Sequence, residues 1–265
     1  MRLVSYAGGF GRLPEADRAT TVVPMGTDLV GYLDGGHAVD GQPLPLDEVE
    51  LTAPVPRPGK IVCVGLNYRD HAAETGKAVP DEPVLFAKFA NSVVGDGATV
   101  SVPPVAKEVD WEAELGVVIG RRARQVGVGD ALGHVAGYTC LNDLSARDLQ
   151  RRGGQWTRGK AIDGFLPMGP CLVTADEIPN PQDLAIRCAV NGQIVQSSNT
   201  AQMVFGVAEL VSVISQTMTL EPGDCIATGT PAGVGMSMKP PRYLHSGDVV
   251  VVEIDGIGRL TTTIA

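Results

Sequence analysis

The sequence predicts a β-rich α+β fold with helices confined to its edges, and three observations carry that expectation. The 265 residues include 33 glycines and 19 prolines, a punctuation that suits many short strands and tight turns and excludes a helix bundle. The run Glu-Leu-Gly-Val-Val-Ile at 114–119 is apolar from its second residue on, as expected of a strand covered on both faces. Only residues 203–216 carry the period of a substantial helix.

In chain order, residues 1–53 read as a small N-terminal module of short strands at 1–7, 21–24 and 28–34, broken by Gly35-Gly36. Pro54, Pro56, Pro58 and Gly59 form a stiff connector into a main domain at 57–265. There, 60–64 is a buried-strand candidate ending at Gly65. Residues 68–77 can form a short helix with Asn67 near its N-cap. Strands are expected at 83–89, 99–102 and 135–141, followed by a helical stretch at 144–152. Asn191-Gly192 between 185–190 and 194–196 signals a hairpin, because both residue types tolerate the positive φ of a type I′ turn. After the 203–216 helix, strands at 225–228 and 249–254 close the chain.

Composition narrows the function classes. Lys and Arg number 21 against 30 Asp and Glu, a formal net charge of −9, which argues against a nucleic-acid binder. The start of the chain shows no long apolar signal-like region, and no apolar run approaches the roughly 18 residues of a membrane span. Cys63, Cys140, Cys171, Cys188 and Cys225 are odd in number and lack a C-x-x-C pair, so buried free thiols in a reducing cytoplasm are expected.

Two acidic elements carry the chemistry. On a strand, Asp110, Glu112 and Glu114 share one face at about 6.6–6.8 Å spacing, directed at water or at a cation. No Lys or Arg alternates with them. Asp143 lies where a strand gives way to a helix, the place of either an N-cap or a ligand. Three oxygen ligands with open positions suit Mg²⁺ or Mn²⁺, and the lack of nearby Cys or His at ligand spacing disfavours zinc. The glycine-rich stretch 229–235 lacks the Gly-Lys-Ser/Thr ending of a phosphate loop. His71 and Glu74, three apart, would share a helix face, and a carboxylate on one imidazole nitrogen makes the other a candidate base.

Gly65-Leu66-Asn67-Tyr68-Arg69-Asp70-His71, Glu112-x-Glu114-Leu115, Asn142-Asp143-x-Ser145-Ala146-Arg147-Asp148 and Gly229-Thr230-Pro231 occur in this order. Together they resemble the fumarylacetoacetate hydrolase family over residues 57–263. The resemblance implies a mixed β-sandwich or β-roll core, a homodimer, and Mg²⁺ or Mn²⁺ held by Glu112, Glu114 and Asp143. It further implies a lid carrying the water-activating His71–Glu74 pair, a substrate-binding Lys160, and substrate contacts from Gln150 and Thr230. Arg147 and Asp148 are expected to form a structural ion pair. The segment 161–165 departs from many relatives and is expected to reshape the pocket. The implied activity is metal-dependent hydrolysis of a C–C bond in a 2,4-dioxo acid through an enolate, with an oxaloacetate-type decarboxylase or hydroxymuconate-type isomerase as the alternative. A catalytically silent carboxylate-binding relative is the reading from outside enzymology.

Overall fold

The computed structural model describes residues 1–14 and 19–265. The chain begins with β1 (Arg2–Tyr6), β2 (Gly9–Leu13), β3 (Thr21–Gly26) and helix α1 (Leu29–Leu33). Strand β4 (Ile61–Gly65), helix α2 (Arg69–Thr75) and β5 (Val84–Lys88) follow. The centre holds β6 (Ala113–Ile119), α3 (Val128–Ala131), β7 (Val135–Asn142), α4 (Arg147–Gln150), α5 (Thr157–Lys160) and β8 (Leu166–Thr174). The last third holds β9 (Ala185–Val190), β10 (Gln193–Asn199), α6 (Val207–Thr217), β11 (Cys225–Ala227), β12 (Val249–Ile254) and β13 (Gly258–Ile264).

The larger sheet runs β3-β2-β1-β8-β7-β6-β11-β4-β5, with Leu44–Pro45 beyond β3. A second sheet runs β10-β9-β12-β13, with Thr99–Val100 at its edge. Every residue of β6 is buried, as the continuous apolar run requires. Leu115, Val117 and Ile119 meet Ile186, Val252 and Leu260 of the second sheet in one core cluster. On the other face, Val118 joins Leu141 and Met168, with Leu3, Phe10 and Leu29 from the N-terminal residues, in another. Because β1 pairs antiparallel with β8, residues 1–53 extend the main sheet and help to cover it.

The expected hairpin has its two-residue loop, with Val190 opposite Gln193 and positive φ at Asn191 (50°) and Gly192 (78°). Three expectations need correction. Residues 28–34 form helix α1 rather than a strand, because Asp28 Oδ1 accepts the Gly31 amide at 2.9 Å and caps the first turn. The α2 cap is Tyr68 and not Asn67. The Asn67 side chain is instead buried, donating to the Phe205 and Thr228 carbonyls and accepting the Phe205 amide. The helix at 144–152 contracts to α4, since Ser145–Ala146 pairs with Val109–Asp110 as a short ribbon.

β8 was not anticipated because Pro167 and Pro170 argue against a central strand. Its register on β7 shifts between Tyr138 and Cys140, opposite Val173 and Gly169. Pro170 therefore sits at an irregularity where the ladder is already interrupted.

A close approach tests this packing. A Cβ on Gly137 would lie 2.1 Å from the Val173 carbonyl oxygen across the β7–β8 pair, whereas one on Gly133 meets nothing within 4 Å. Gly137→Ala should cost about 1–3 kcal/mol in urea denaturation, and Gly133→Ala should stay within about 0.5 kcal/mol of the parent.

Candidate active site

The site forms where β6 and β7 end side by side. Ala113 pairs with Asn142, the Asp143 amide donates to the Glu112 carbonyl at 2.9 Å, and Asn142 Oδ1 accepts the Glu112 amide at 3.2 Å. This stitching brings Asp143 beside the two glutamates. Glu112, Glu114 and Asp143 are all buried, and each offers an oxygen within 4.8 Å of the others.

Asp110 does not share their face as expected. The ribbon strand ends at Asp110 and β6 starts only at Ala113, so the alternation is interrupted between them. The Asp110 carboxylate is taken by Arg147 Nε at 2.8 Å and by the Gly235 and Met236 amides. Arg147 also reaches Glu112 with Nη2 at 2.7 Å. It therefore serves the acidic cluster rather than Asp148, which faces Arg152 at 3.8 Å and the Lys107 amide.

Two buried lysines complete the cluster. Lys160 Nζ lies 2.6 Å from both Glu112 Oε2 and Asp143 Oδ2, and 4.9 Å from the centre of the Phe86 ring. Lys88 Nζ donates to Asp143 Oδ1 and to the Leu144 carbonyl. Burial opposes both ammonium charges. Asp143 and Glu112 outweigh it at Lys160 and raise that pKa, whereas at Lys88 burial prevails over Asp143 and the pKa falls. Burial likewise opposes the Glu112 charge, but Lys160 and Arg147 hold that carboxyl below the usual range.

Glu114 differs. Burial, then the Asp143 and Glu112 charges, push its carboxyl well above the ordinary value. Its close partner is the Gly229 amide, donating to Oε2 at 2.8 Å. Around the site, the buried carboxylates of Asp110, Glu112, Glu114 and Asp143 face the buried cations Lys88, Arg147 and Lys160. With Glu114 ionised, four carboxylates against three cations would leave a negative charge that a bound hard divalent ion offsets, and three carboxylates are a donor set suited to Mg²⁺ or Mn²⁺.

A cavity of about 230 Å³ opens onto this cluster, lined by Glu112, Glu114, Arg147, Gln150, Lys160 and Thr230, with His71 above them. Gln150 Oε1 accepts from Arg147 Nη1 at 3.1 Å. Phe86 and Trp156 meet edge to face at 5.1 Å and form an apolar wall. His71 Nδ1 lies 3.2 Å from Glu74 Oε2, and Glu74 Oε1 accepts the Gly233 amide at 2.8 Å. Asp70 accepts the Ala232 amide and the Ser198 hydroxyl. Helix α2 is thus docked on the glycine-rich stretch, whose amides serve protein carboxylates. None of residues 161–165 lines this cavity. Asp163 instead accepts from Asn91, and the Gly164 amide donates to the Asn91 carbonyl.

Sequence reasoning missed Lys88 and Gln196. Lys88 ends the apolar run Val-Leu-Phe-Ala of β5 on the face of Phe86, and that alternation was the available signal. Gln196 is the one fully buried residue of β10.

Residues 60–265 match the family model described as Fumarylacetoacetate (FAA) hydrolase C-terminal. The chain belongs to the fumarylacetoacetate hydrolase family. It is 52% identical over 217 residues to the oxaloacetate tautomerase FAHD2A, mitochondrial, of Homo sapiens, covering 81% of this chain and 69% of that protein. Among solved structures, the 5-carboxymethyl-2-hydroxymuconate delta-isomerase of Mycobacterium smegmatis is 36% identical with a TM-score of 0.87, covering 100% of this chain and 99% of the other. A fumarylacetoacetate hydrolase of Exiguobacterium antarcticum is 37% identical with a TM-score of 0.85 over the same shares. No helix among the described residues is long and apolar enough to cross a membrane.

The Glu114 environment yields a signed prediction. A carboxyl raised in the folded state contributes stability below its unfolded value, near 4.5, and that contribution is lost as pH rises toward the folded value. In EDTA, the parent should therefore lose thermal stability relative to Glu114→Gln as pH climbs from about 4.5. Added Mg²⁺ or Mn²⁺ should restore the parent and leave Glu114→Gln unmoved. Parallel pH profiles of the two proteins in EDTA would contradict the assignment.

Proposed function

We propose that the protein is a divalent-metal-dependent enzyme that moves a proton between carbon and oxygen of a small 2-oxo acid, with keto–enol tautomerisation of oxaloacetate as its reaction. The observation that carries this is that His71, paired with Glu74, lines the same small cavity as Lys160, Glu112 and Glu114, the last two clustered with Asp143.

Glu112, Glu114 and Asp143 would hold Mg²⁺ or Mn²⁺, which when bound supplies Lewis acidity toward a carbonyl oxygen. Glu74 fixes the imidazole by accepting a hydrogen bond from Nδ1–H, which leaves Nε2 free as the base. In the keto-to-enol direction, Nε2 removes a proton from C3 to leave an enolate, and the His71 imidazolium so formed returns that proton to the 2-oxo oxygen, restoring the neutral base. In reverse, C3 receives the proton and the enol oxygen loses it. Lys160, kept cationic by Asp143 and Glu112 despite burial, stabilises negative charge on that oxygen. Thr230 and Gln150 orient the carboxylate and oxygen of the substrate, and the Phe86–Trp156 wall limits access of water.

The relative named an oxaloacetate tautomerase, matched over 81% of this chain, supports this reading. C–C hydrolysis of an acylpyruvate is the second reading, because a base oriented as His71 can also activate water. A homodimer belongs to the same proposal, supported by the edge position of β5 and by exposed Val84, Leu85 and Phe89 in and beside it.

Ketonisation of enol-oxaloacetate, followed by loss of enol absorbance, should need Mg²⁺ or Mn²⁺, and His71→Ala should slow it about 10²–10⁴-fold. Acetylpyruvate cleavage without accelerated ketonisation would replace the first reading by the second. Full activity of His71→Ala would remove the base from both. Light scattering should return twice the chain mass, and a monomeric mass would refute the dimer.

A further inference from the structure

β10 is an exposed edge strand, and Gln196 is its one fully buried residue, 1% exposed. The cause is a bulge. Cys188 opposes Gln196 while Ala189 opposes Ile194, so Val195 is the extra residue. The Val195 carbonyl stands 2.1 Å from where a Cβ on Gly233 would lie, so Gly233 admits the bulge against the glycine-rich stretch. This turns the Gln196 amide toward the Glu112–Glu114 strand and the Gly229-Thr230-Pro231 turn.

The direction of the resulting hydrogen bonds is determined. Gln196 Oε1 accepts the Ala113 amide at 2.9 Å, and a backbone N–H can only donate. Gln196 Nε2 faces the Pro231 carbonyl at 2.9 Å, and a carbonyl can only accept. The amide is therefore oriented by two main-chain groups and cannot flip. Its remaining Nε2 proton goes to Thr230 Oγ1 at 2.8 Å. Thr230 thus accepts from Gln196, and its own hydroxyl proton is left for another acceptor. Thr230 lines the cavity, and among the described residues its hydroxyl donates to no protein group.

We propose that Gln196 is a positioning residue that makes Thr230 an obligate hydrogen-bond donor toward the cavity, selecting an anionic oxygen such as a substrate carboxylate. The proposal rests on the reading of Thr230 as a substrate ligand. Oxalate, a dianion that resembles the head of a 2-oxo acid, is the probe.

Calorimetric titration of the Mg²⁺-loaded protein with oxalate should show a Kd raised about 10–100-fold by Thr230→Val, the size of a lost hydrogen bond to a charged group. Thr230→Ser should keep parental affinity. Gln196→Glu should weaken oxalate strongly, because a carboxylate would draw the Thr230 proton away from the cavity. Its added negative charge also repels oxalate, and the Thr230→Val background separates the two effects. The loss caused by Gln196→Glu should be at least about tenfold smaller in that background. Gln196→Met, which adds no charge, should give a smaller, few-fold loss that likewise vanishes there. KM for oxaloacetate should rise in step with these affinities. Equal losses in both backgrounds would mean charge or packing alone and would overturn the role of Gln196. Unchanged oxalate affinity in Thr230→Val would instead overturn the reading of Thr230 itself.

Discussion

The architecture around the site depends on burying more carboxylate than the chain's own cations can neutralise. Asp110, Glu112, Glu114 and Asp143 are withdrawn from water with Lys88, Arg147 and Lys160. A buried charge without a partner costs several kcal/mol, so every member must be paired or hydrogen-bonded. Asp110, Glu112 and Asp143 receive side-chain cations. Glu114 has the Gly229 amide and, among the described residues, no ion pair of its own. The carboxyl without a cation, Glu114, is therefore the raised one, and it belongs to the oxygen cluster beside the cavity, where a bound cation would displace its proton.

The same need explains the glycine-rich stretch. Its amides at Gly229, Ala232, Gly233, Gly235 and Met236 are donated to Glu114, Asp70, Glu74 and Asp110. A loop that resembles an anion cradle thus gives most of its amides to the protein's own carboxylates. Gly235 cannot carry a side chain, since a Cβ would stand 2.0 Å from the Arg242 carbonyl. By accepting from this loop, Asp70 and Glu74 dock α2, so the element bearing the proposed base is located by the loop that also braces a metal-ligand candidate and carries Thr230.

Much of this was legible in the sequence where the signal was local. The buried run of β6, the Asn-Gly hairpin and the β12 span at 249–254 followed from periodicity and turn chemistry. The grouping of Glu112 with Glu114 and Asp143 was accessible through the ordered motifs. What was not legible depended on irregular backbone or on distant partners. The break between Asp110 and Ala113 sends Asp110 to Arg147, against a simple alternation. The β8 prolines hid a central strand, and the Val195 bulge placed a glutamine inward where an edge strand predicts solvent. Lys88 joins Asp143 across 55 positions of sequence, a pairing that only the completed sheet creates.

The two lysines on Asp143 show why one cluster can serve several reactions. Lys88 occupies Oδ1 and the Leu144 carbonyl, and it does not line the cavity. Its work is to hold the aspartate. Lys160 lines the cavity and bridges Asp143 to Glu112. Because the two carboxylates outweigh its desolvation, it remains a cation and is unsuited to removing protons, so the proposed reaction assigns proton abstraction to His71. An enolate oxygen placed beside Lys160 is stabilised whichever bond at the neighbouring carbon is made or broken. Tautomerisation, decarboxylation and C–C hydrolysis therefore make the same demand on Lys160 and the acidic triad. They differ in what departs from carbon and in whether His71 handles a carbon-bound proton or a water molecule. On the proposed reading, specificity then comes from groups that orient the substrate relative to His71, and the two cavity-lining candidates, Thr230 and Gln150, are held by Gln196 and Arg147.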